Sequence, residues 1–316
     1  MDGKYRVERV LGVGGMGLVV AARHLQLDEH VAIKLLHAHP LTNPKACARF
    51  AREARAAVKI KSEHAAWVSD VGTLESGAPY MVMEYLQGED LATWLRTRGA
   101  LGWSLAVEFV LQASEALAVA HANGIVHRDL KPANLFVTRR ADGSACLKVL
   151  DFGVSRVESD VSMTQTAQVV GSPLYMSPEQ LSAPESVDAR SDIWSLGVIL
   201  YELMHGYPPY WADTLPELVT QILTQPPRAL EPQVTGDGAL AAVVRCCLQK
   251  DRGQRYASVA DSGASAAPVC FRGRASFGRA YRGHAAPGRN ARDATRHGLL
   301  GSARSDSVRV VRAAPT

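Results

Sequence analysis

Cysteine is scarce and unpatterned in this chain: five residues, at positions 47, 146, 246, 247 and 270, with no C-x-x-C pair and no zinc-like spacing. That argues against a disulfide scaffold and a structural zinc site, and it suits a reducing, cytoplasmic compartment. Long hydrophobic runs are lacking too. The longest, near residues 193–204, falls far short of the about 20 residues that cross a bilayer. The first residues carry no apolar segment of the signal-peptide kind, so no membrane span is expected. Lysine is missing from residues 262–316, which hold ten Arg and two acids, a net +8; the rest of this +4 chain therefore carries −4.

What is present suffices for a sizeable core: 316 residues, 47% of them hydrophobic and 21% charged, enough for two lobes or for one catalytic unit plus a remnant. Residues 5–11 (Tyr-Arg-Val-Glu-Arg-Val-Leu) alternate as a strand does, and Gly12-Val13-Gly14-Gly15-Met16-Gly17 follows before a second apolar run, Leu18-Val19-Val20. A G-x-G-x-x-G turn also opens dinucleotide sites, but those need a helix directly after the glycines. Here β-branched residues follow. The pattern reads as a hairpin whose glycines let backbone N–H groups approach phosphate oxygens. Val31-Ala32-Ile33-Lys34 is then an apolar strand ending in a lysine that needs an anion.

The densest chemistry lies in Ile125-Val126-His127-Arg128-Asp129-Leu130-Lys131-Pro132-Ala133-Asn134. Asp129 can accept a proton and Lys131 can hold an anion, while Asn134 offers a neutral oxygen to a hard cation such as Mg²⁺. Asp151, in Asp151-Phe152-Gly153, supplies the charge that such a site lacks. Between them, residues 135–138 and 146–150 read as two short strands joined by a turn at Asp142-Gly143. That hairpin returns Asp151 to Asn134.

These motifs resemble those of the protein kinases, and in particular the eukaryotic-like serine/threonine kinases of bacteria. The form H-R-D-L-K-P-x-N stands at 127–134, D-F-G at 151–153 and V-A-I-K at 31–34. The resemblance covers roughly residues 5–260. It implies an α+β, two-lobed fold, with a small β-rich N-lobe over 1–86 and a larger α-helical C-lobe over 87–261. It also implies ATP as phosphate donor, Mg²⁺ as cofactor and protein serine or threonine hydroxyls as acceptors. A kinase-fold module that binds ATP without transferring phosphate is the alternative.

Site roles follow from the same resemblance. Gly12, Gly14, Gly15 and Gly17 would cover the phosphates, and Lys34 would hold them, paired with Glu53 from a helical stretch at 50–58. Met83 would be the gatekeeper, and backbone groups of Glu84 and Leu86 would bond adenine inside a slot closed by Leu11, Val19, Ala32 and Phe136. Asp90 would reach the ribose. Asp129 would orient and deprotonate the acceptor hydroxyl, Lys131 would neutralise the transferring phosphoryl group, and Asn134 with Asp151 would hold the metal. Asp192 would brace the catalytic loop, and Arg255 would pair with Glu179. The polar stretch 154–170 resembles an activation loop, in which Thr164 and Thr166 would be autophosphorylated and Arg128 would receive the phosphate.

Beyond residue 261 the composition breaks to Ala, Gly, Arg and Ser, where a family member would continue into a final amphipathic helix. One reading is an arginine-rich arm for nucleic acid or acidic partners. The other, which we favour, is a lost reading frame near residue 262. Both lead to disorder as the expectation for 262–316.

Overall fold

The first three apolar runs become antiparallel strands, β1 (Tyr5–Gly14), β2 (Gly17–His24) and β3 (Glu29–Leu36). In this computed structural model, which describes residues 3–14, 17–36, 44–152, 173–231 and 238–266, they join β4 (Val68–Thr73) and β5 (Pro79–Glu84) in one sheet of order β1-β2-β3-β5-β4. Strand side chains alternate between faces, so this sheet needs two apolar layers. On one face Val20, Ala22, Ile33, Tyr80 and Val82 pack with Tyr5. On the other, Leu36, Val68 and Met81 meet Phe50 and Ala54 of α1 (Pro44–Lys59). β1 departs from the half-buried strand that its alternation predicts: Tyr5 is buried, but Val7, Val10 and Val13 are exposed. It is the edge strand remote from α1, which packs on β4 and β5.

The chain then enters a helical region through β6 (Glu89–Asp90) and α2 (Leu91–Arg98). The alanine-rich stretch 105–123, followed by Gly124, has a helical pattern in the sequence, and α3 (Trp103–Ala122) forms there, beginning two residues earlier. Asn123 caps it, and Gly124 turns the chain at φ +70°, a conformation that glycine adopts without a Cβ clash. By length and hydropathy α3 could cross a membrane. Its Val107, Phe109, Val110, Ala113 and Leu117 are instead buried in the protein interior, where α3 packs on a strand and a helix that follow. Those partners are β8 (Ala145–Val149), hairpin mate of β7 (Leu135–Arg139), and α5 (Arg190–His205). The hairpin turn holds Gly143 at φ +82°.

α5 is the centre of the larger lobe: Ile193, Trp194, Leu196, Val198, Ile199 and Tyr201 are all essentially inaccessible. Around it lie α4 (Pro178–Ser182), α6 (Leu215–Thr224) and α7 (Gly238–Cys247). Residues 259–266 form a further helix, α8, so an ordered element spans the break in composition at 261/262. Val259, Ser262 and Ala266 are buried. The small residues Ser262, Gly263 and Ala266 face Val110, Leu111, Leu196, Val243 and Cys247 across a small apolar cavity. The local reason a helix survives the change is that alanine and serine at these positions still allow one, and Val259 supplies an anchor.

A stability test follows from Gly263. A Cβ placed there would meet Leu111 Cδ2 at 3.5 Å, an ordinary van der Waals contact. Replacing glycine by alanine inside a helix removes a backbone-entropy cost of about 0.5–1 kcal/mol. Gly263→Ala is therefore expected to raise the thermal midpoint of the full chain by roughly 1–4 °C. An unchanged or lower midpoint would argue against α8.

Candidate active site

The catalytic loop is a short irregular segment that must be fixed from outside, since its backbone belongs to no ladder. Asp192, fully buried on α5, does most of this. Its Oδ2 accepts from the backbone N–H of His127 at 2.9 Å and from His121 Nε2 at 2.7 Å, and its Oδ1 accepts from the backbone N–H of Arg128 at 2.9 Å. His127 adds a second tie. Its Nδ1 accepts from the Asp129 N–H at 3.3 Å, so the ring proton sits on Nε2, which donates to the Leu150 carbonyl at 3.0 Å. Its ring also packs 5.2 Å from that of Phe152. One histidine thereby links the loop of Asp129 to the residue before Asp151.

Two chemically complementary groups meet on this base. Lys131 Nζ donates to Asp129 Oδ2 at 2.9 Å, with both side chains about one quarter exposed. Asn134, in a single 3₁₀ turn (Pro132–Asn134), donates from Nδ2 to the Asp129 carbonyl at 2.8 Å, which turns its Oδ1 the other way. The β7–β8 hairpin does return the chain as expected: the Leu150 N–H donates to the Asn134 carbonyl at 2.8 Å. Asp151 follows at φ +48°, a left-handed conformation that aspartate tolerates better than most residues.

Lys34 comes to this point from the other lobe. It is 7% exposed, and its Nζ donates to Glu53 Oε1 at 2.6 Å and to Asp151 Oδ1 at 2.9 Å. Burial pulls the ammonium pKa down, but the Asp151 and Glu53 carboxylates outweigh it and the net shift is upward. Burial raises the Glu53 carboxyl, against the pull of Lys34. Lys34 is thus held charged in a nearly dry place, with one carboxylate buried behind it and one half-exposed in front. The contact between Lys34 and Asp151 was not anticipated from sequence.

Of the apolar residues expected around adenine, Leu11, Val19, Ala32 and Met83 lie on β1, β2, β3 and β5, neighbours in one sheet, and Phe136 lies on β7 of the other. Ala32 is paired with Ala21 and with Met83, and Val19 with Lys34, so the register aligns the apolar wall with the lysine. Met83 also packs against the cluster under α1, joining the slot to the helix that carries Glu53. Leu11 is exposed, and Val19, Leu86 and Phe136 are half-buried, as the lining of an open cleft would be. Glu84 has further work: its carboxylate accepts from Lys148 Nζ at 2.9 Å and from the Trp67 N–H at 2.9 Å. Asp90 is the N-cap of α2, accepting from the Thr93 N–H at 2.8 Å and the Thr93 hydroxyl at 2.9 Å. It sits opposite Phe136 in the β6–β7 ladder, and a carboxylate has lone pairs left for further hydroxyls.

The glycines divide. Gly12 and Gly14 lie on β1, with Gly14 paired to Gly17 on β2. A Cβ on Gly12 would meet nothing within 4 Å, whereas one on Gly17 would lie 1.9 Å from the Leu35 carbonyl oxygen. Glycine at 17 is therefore required by the sheet itself, besides any role toward phosphate. Gly15, Gly153, Thr164 and Thr166 lie outside the described residues.

For a hard divalent cation the donor set fits. The Asn134 Oδ1 is oriented by the hydrogen bond from its Nδ2 to the Asp129 carbonyl, the Leu150 N–H ties the residue before Asp151 to the Asn134 carbonyl, and the Asp151 carboxylate is 45% exposed. One carboxylate and one amide oxygen suit Mg²⁺, which keeps substrate phosphates and waters in its shell. No cluster of three or more His, Cys, Asp or Glu exists among the described residues to make an all-protein metal cage.

Two further links hold the frame, one expected and one not. Arg255 and Glu179 form the expected pair, bidentate at 2.7 and 2.8 Å, with Ser191 donating to Glu179 at 2.6 Å. Burial raises the Glu179 carboxyl, but the bonds from Arg255 and Ser191 prevail and hold it below the usual carboxylate range. Gln180 was missed. It stands three residues after Ser177, a spacing that signals a helix cap, but nothing local signals its bond to the Arg128 carbonyl at 2.8 Å.

With this geometry in view, comparison with known proteins is direct. Residues 5–262 match the model of the protein kinase domain. The chain is 38% identical over 262 residues to serine/threonine-protein kinase pkn3 of Myxococcus xanthus, covering 81% of this chain and 48% of that protein. It is 39% identical over 269 residues to serine/threonine-protein kinase PknB of Mycobacterium tuberculosis, covering 83% and 42%. The chain thus spans about half the length of these curated relatives. Among solved structures it is similar to the PknI kinase domain of Mycobacterium tuberculosis, with a TM-score of 0.63 and 27% identity over 84% of this chain and 95% of that one.

Proposed function

Since this chain belongs to the protein kinase family, we propose that it is a cytoplasmic serine/threonine protein kinase, moving the γ-phosphate of ATP to serine and threonine hydroxyls of protein substrates. The observation that carries the reading is Lys34 held charged between Glu53 and Asp151, because this brings the phosphate-binding strand, α1 and the D-F-G segment to one point. Lys34 then binds the α and β phosphates, with Leu11, Val19, Ala32, Met83 and Phe136 around adenine. Backbone groups of Glu84 and Leu86 complete the base contact, and Asp90 takes the ribose.

Asn134 and Asp151 would hold Mg²⁺, which when bound offsets charge on the phosphates. The acceptor hydroxyl is oriented by Asp129, which takes its proton as the oxygen attacks phosphorus in line with the leaving ADP oxygen. Lys131, bonded to Asp129 at 2.9 Å, lies where negative charge spreads over the transferring group. Catalysis of this kind is positioning and electrostatics, and the ties from Asp192, His127 and Asn134 support it.

The reading includes self-activation at Thr164 and Thr166, with the Arg128 guanidinium donating to the phosphate they carry. A phosphate there brings about −1.5 to −2 charge and three acceptor oxygens. Mass spectrometry after incubation with ATP and Mg²⁺ is the test. Phosphate is expected on one or both threonines in the wild type and on neither in Asp129→Asn. An active preparation without phosphate on either threonine, or full activity in the double alanine variant, would remove the self-activation step.

A further inference from the structure

Arg128 is the strained point of the catalytic loop. Its φ is +65°, in the left-handed region where residues with a side chain persist only when their surroundings hold them. Ahead of it, Asp192 takes the N–H groups of His127 and Arg128, both at 2.9 Å. Behind it, the peptide between Arg128 and Asp129 is held at both ends. Its N–H donates to the His127 carbonyl at 2.9 Å and to His127 Nδ1 at 3.3 Å. Its carbonyl accepts from the side-chain amide of Gln180 at 2.8 Å. A peptide is planar, so the bond from Gln180 helps set the direction in which Asp129 leaves the loop.

Gln180 uses the other end of the same amide at home. Its Oε1 accepts from the Ser177 N–H at 3.0 Å and the Ser177 hydroxyl at 3.2 Å, closing the capping box of α4. Its amide orientation is fixed by its partners, because the Ser177 N–H can only donate and the Arg128 carbonyl can only accept. An amide side chain meets both demands. Glutamate would keep the cap and lose the donor to Arg128, and alanine would lose that donor and the side-chain half of the capping box, keeping only the bond from its backbone N–H to the Ser177 hydroxyl. The bond spans 52 positions, from the segment that follows residues 153–172 back to the catalytic loop.

We propose that Gln180 is a positioning residue for Asp129, fastening the segment at 173–182 to the peptide that carries the catalytic carboxylate. This inference rests on the kinase reading above. It assigns to one amide the coupling of the stretch that follows the phosphorylatable loop to the geometry of proton acceptance.

The test uses the full chain with Gln180→Glu and Gln180→Ala, measured for kcat, for KM of ATP and for thermal midpoint. In Gln180→Glu the cap persists and the thermal midpoint stays near that of the wild type, while a carboxylate now faces the Arg128 carbonyl. Its kcat is expected to fall about tenfold or more, the effect of one lost hydrogen bond, with KM for ATP within about twofold. Gln180→Ala is expected to lose a similar factor in kcat and, in addition, some thermal stability from the broken cap. A kcat for Gln180→Glu within about twofold of wild type would overturn the proposal. So would a loss confined to Gln180→Ala and matched by its loss of folded protein, the mark of a cap alone. Wild-type transfer is the control that separates the two failures: no transfer by the wild type sinks the kinase reading and this inference with it, whereas normal transfer with an indifferent Gln180→Glu sinks this inference alone.

Discussion

Asp129→Asn is expected to lower the rate of phosphate transfer by about 10²- to 10⁴-fold, the range that a positioned general base contributes, and to leave nucleotide affinity and folding nearly untouched. The structure explains why the loss should be so selective. Asp129 is held by its backbone: its N–H bonds to His127 and its carbonyl takes the Asn134 amide, and neither contact uses the carboxylate. What the substitution removes is a proton-accepting oxygen and the ion pair with Lys131. At such partly exposed groups the ion pair itself adds little to stability. Steady-state transfer and nucleotide titration of the two proteins check this. Activity within about tenfold of wild type, a barrier change of only about 1.4 kcal/mol, would show that Asp129 is not the base.

Arg255→Ala is expected to have the largest effect on stability, about 3–5 kcal/mol, because it strands the buried carboxylate of Glu179. The Arg255 side chain is wholly inaccessible and Glu179 nearly so. Arg255 also donates to the carbonyls of Gln249 and Arg190, at 2.8 and 3.0 Å, and its guanidinium lies 5.1 Å from the Trp194 ring. The loss would therefore loosen the segment before α8 and the start of α5 together. For a chain of this size the thermal midpoint should fall by roughly 6–20 °C.

The pH dependence has a definite sign. Glu179 has a depressed pKa in the folded protein. Its pairing therefore adds stability at pH values above the ordinary carboxylate pKa of 4.5, and that stability is lost as pH falls through the lower folded value. The gap in midpoint between wild type and Arg255→Ala should accordingly be full near neutrality and narrow below about pH 4. A gap of a degree or two that ignores pH would mean that the pair contributes little.

Much of this was legible in the chain, and particular residues show why. The β7–β8 hairpin was visible because two short apolar runs flank Asp142-Gly143, and a turn of that kind is specified locally. The end of α3 was visible because Gly124 marks it. The grouping of Asp129, Lys131 and Asn134 was visible because eight consecutive residues, 127–134, hold it. The hidden features depend on neighbours distant in sequence. Asp90 reads as a ribose ligand by resemblance, yet in space it is also the cap of α2. Gly17 reads as a phosphate glycine, yet the Leu35 carbonyl alone would exclude a Cβ. Lys34 to Asp151 spans 117 positions, and no periodicity encodes such a contact. α8 was obscured because composition at 262–266 suggests a tail, while burial of Ser262 and Ala266 beside α3 and α7 needs the folded core to exist first.

The alternative, a kinase fold that holds ATP without chemistry, differs from this account at one observable. Purified full chain should be given Mg²⁺, γ-labelled ATP and a generic serine- and threonine-bearing acceptor, beside Asp129→Asn, with nucleotide binding measured on both. The expected result is label on serine or threonine with the wild type, at least about a hundredfold less with the variant, and equal nucleotide binding by the two. Equal nucleotide binding with no transfer by either protein would contradict the assignment of Asp129, Lys131, Asn134 and Asp151 as working catalytic machinery.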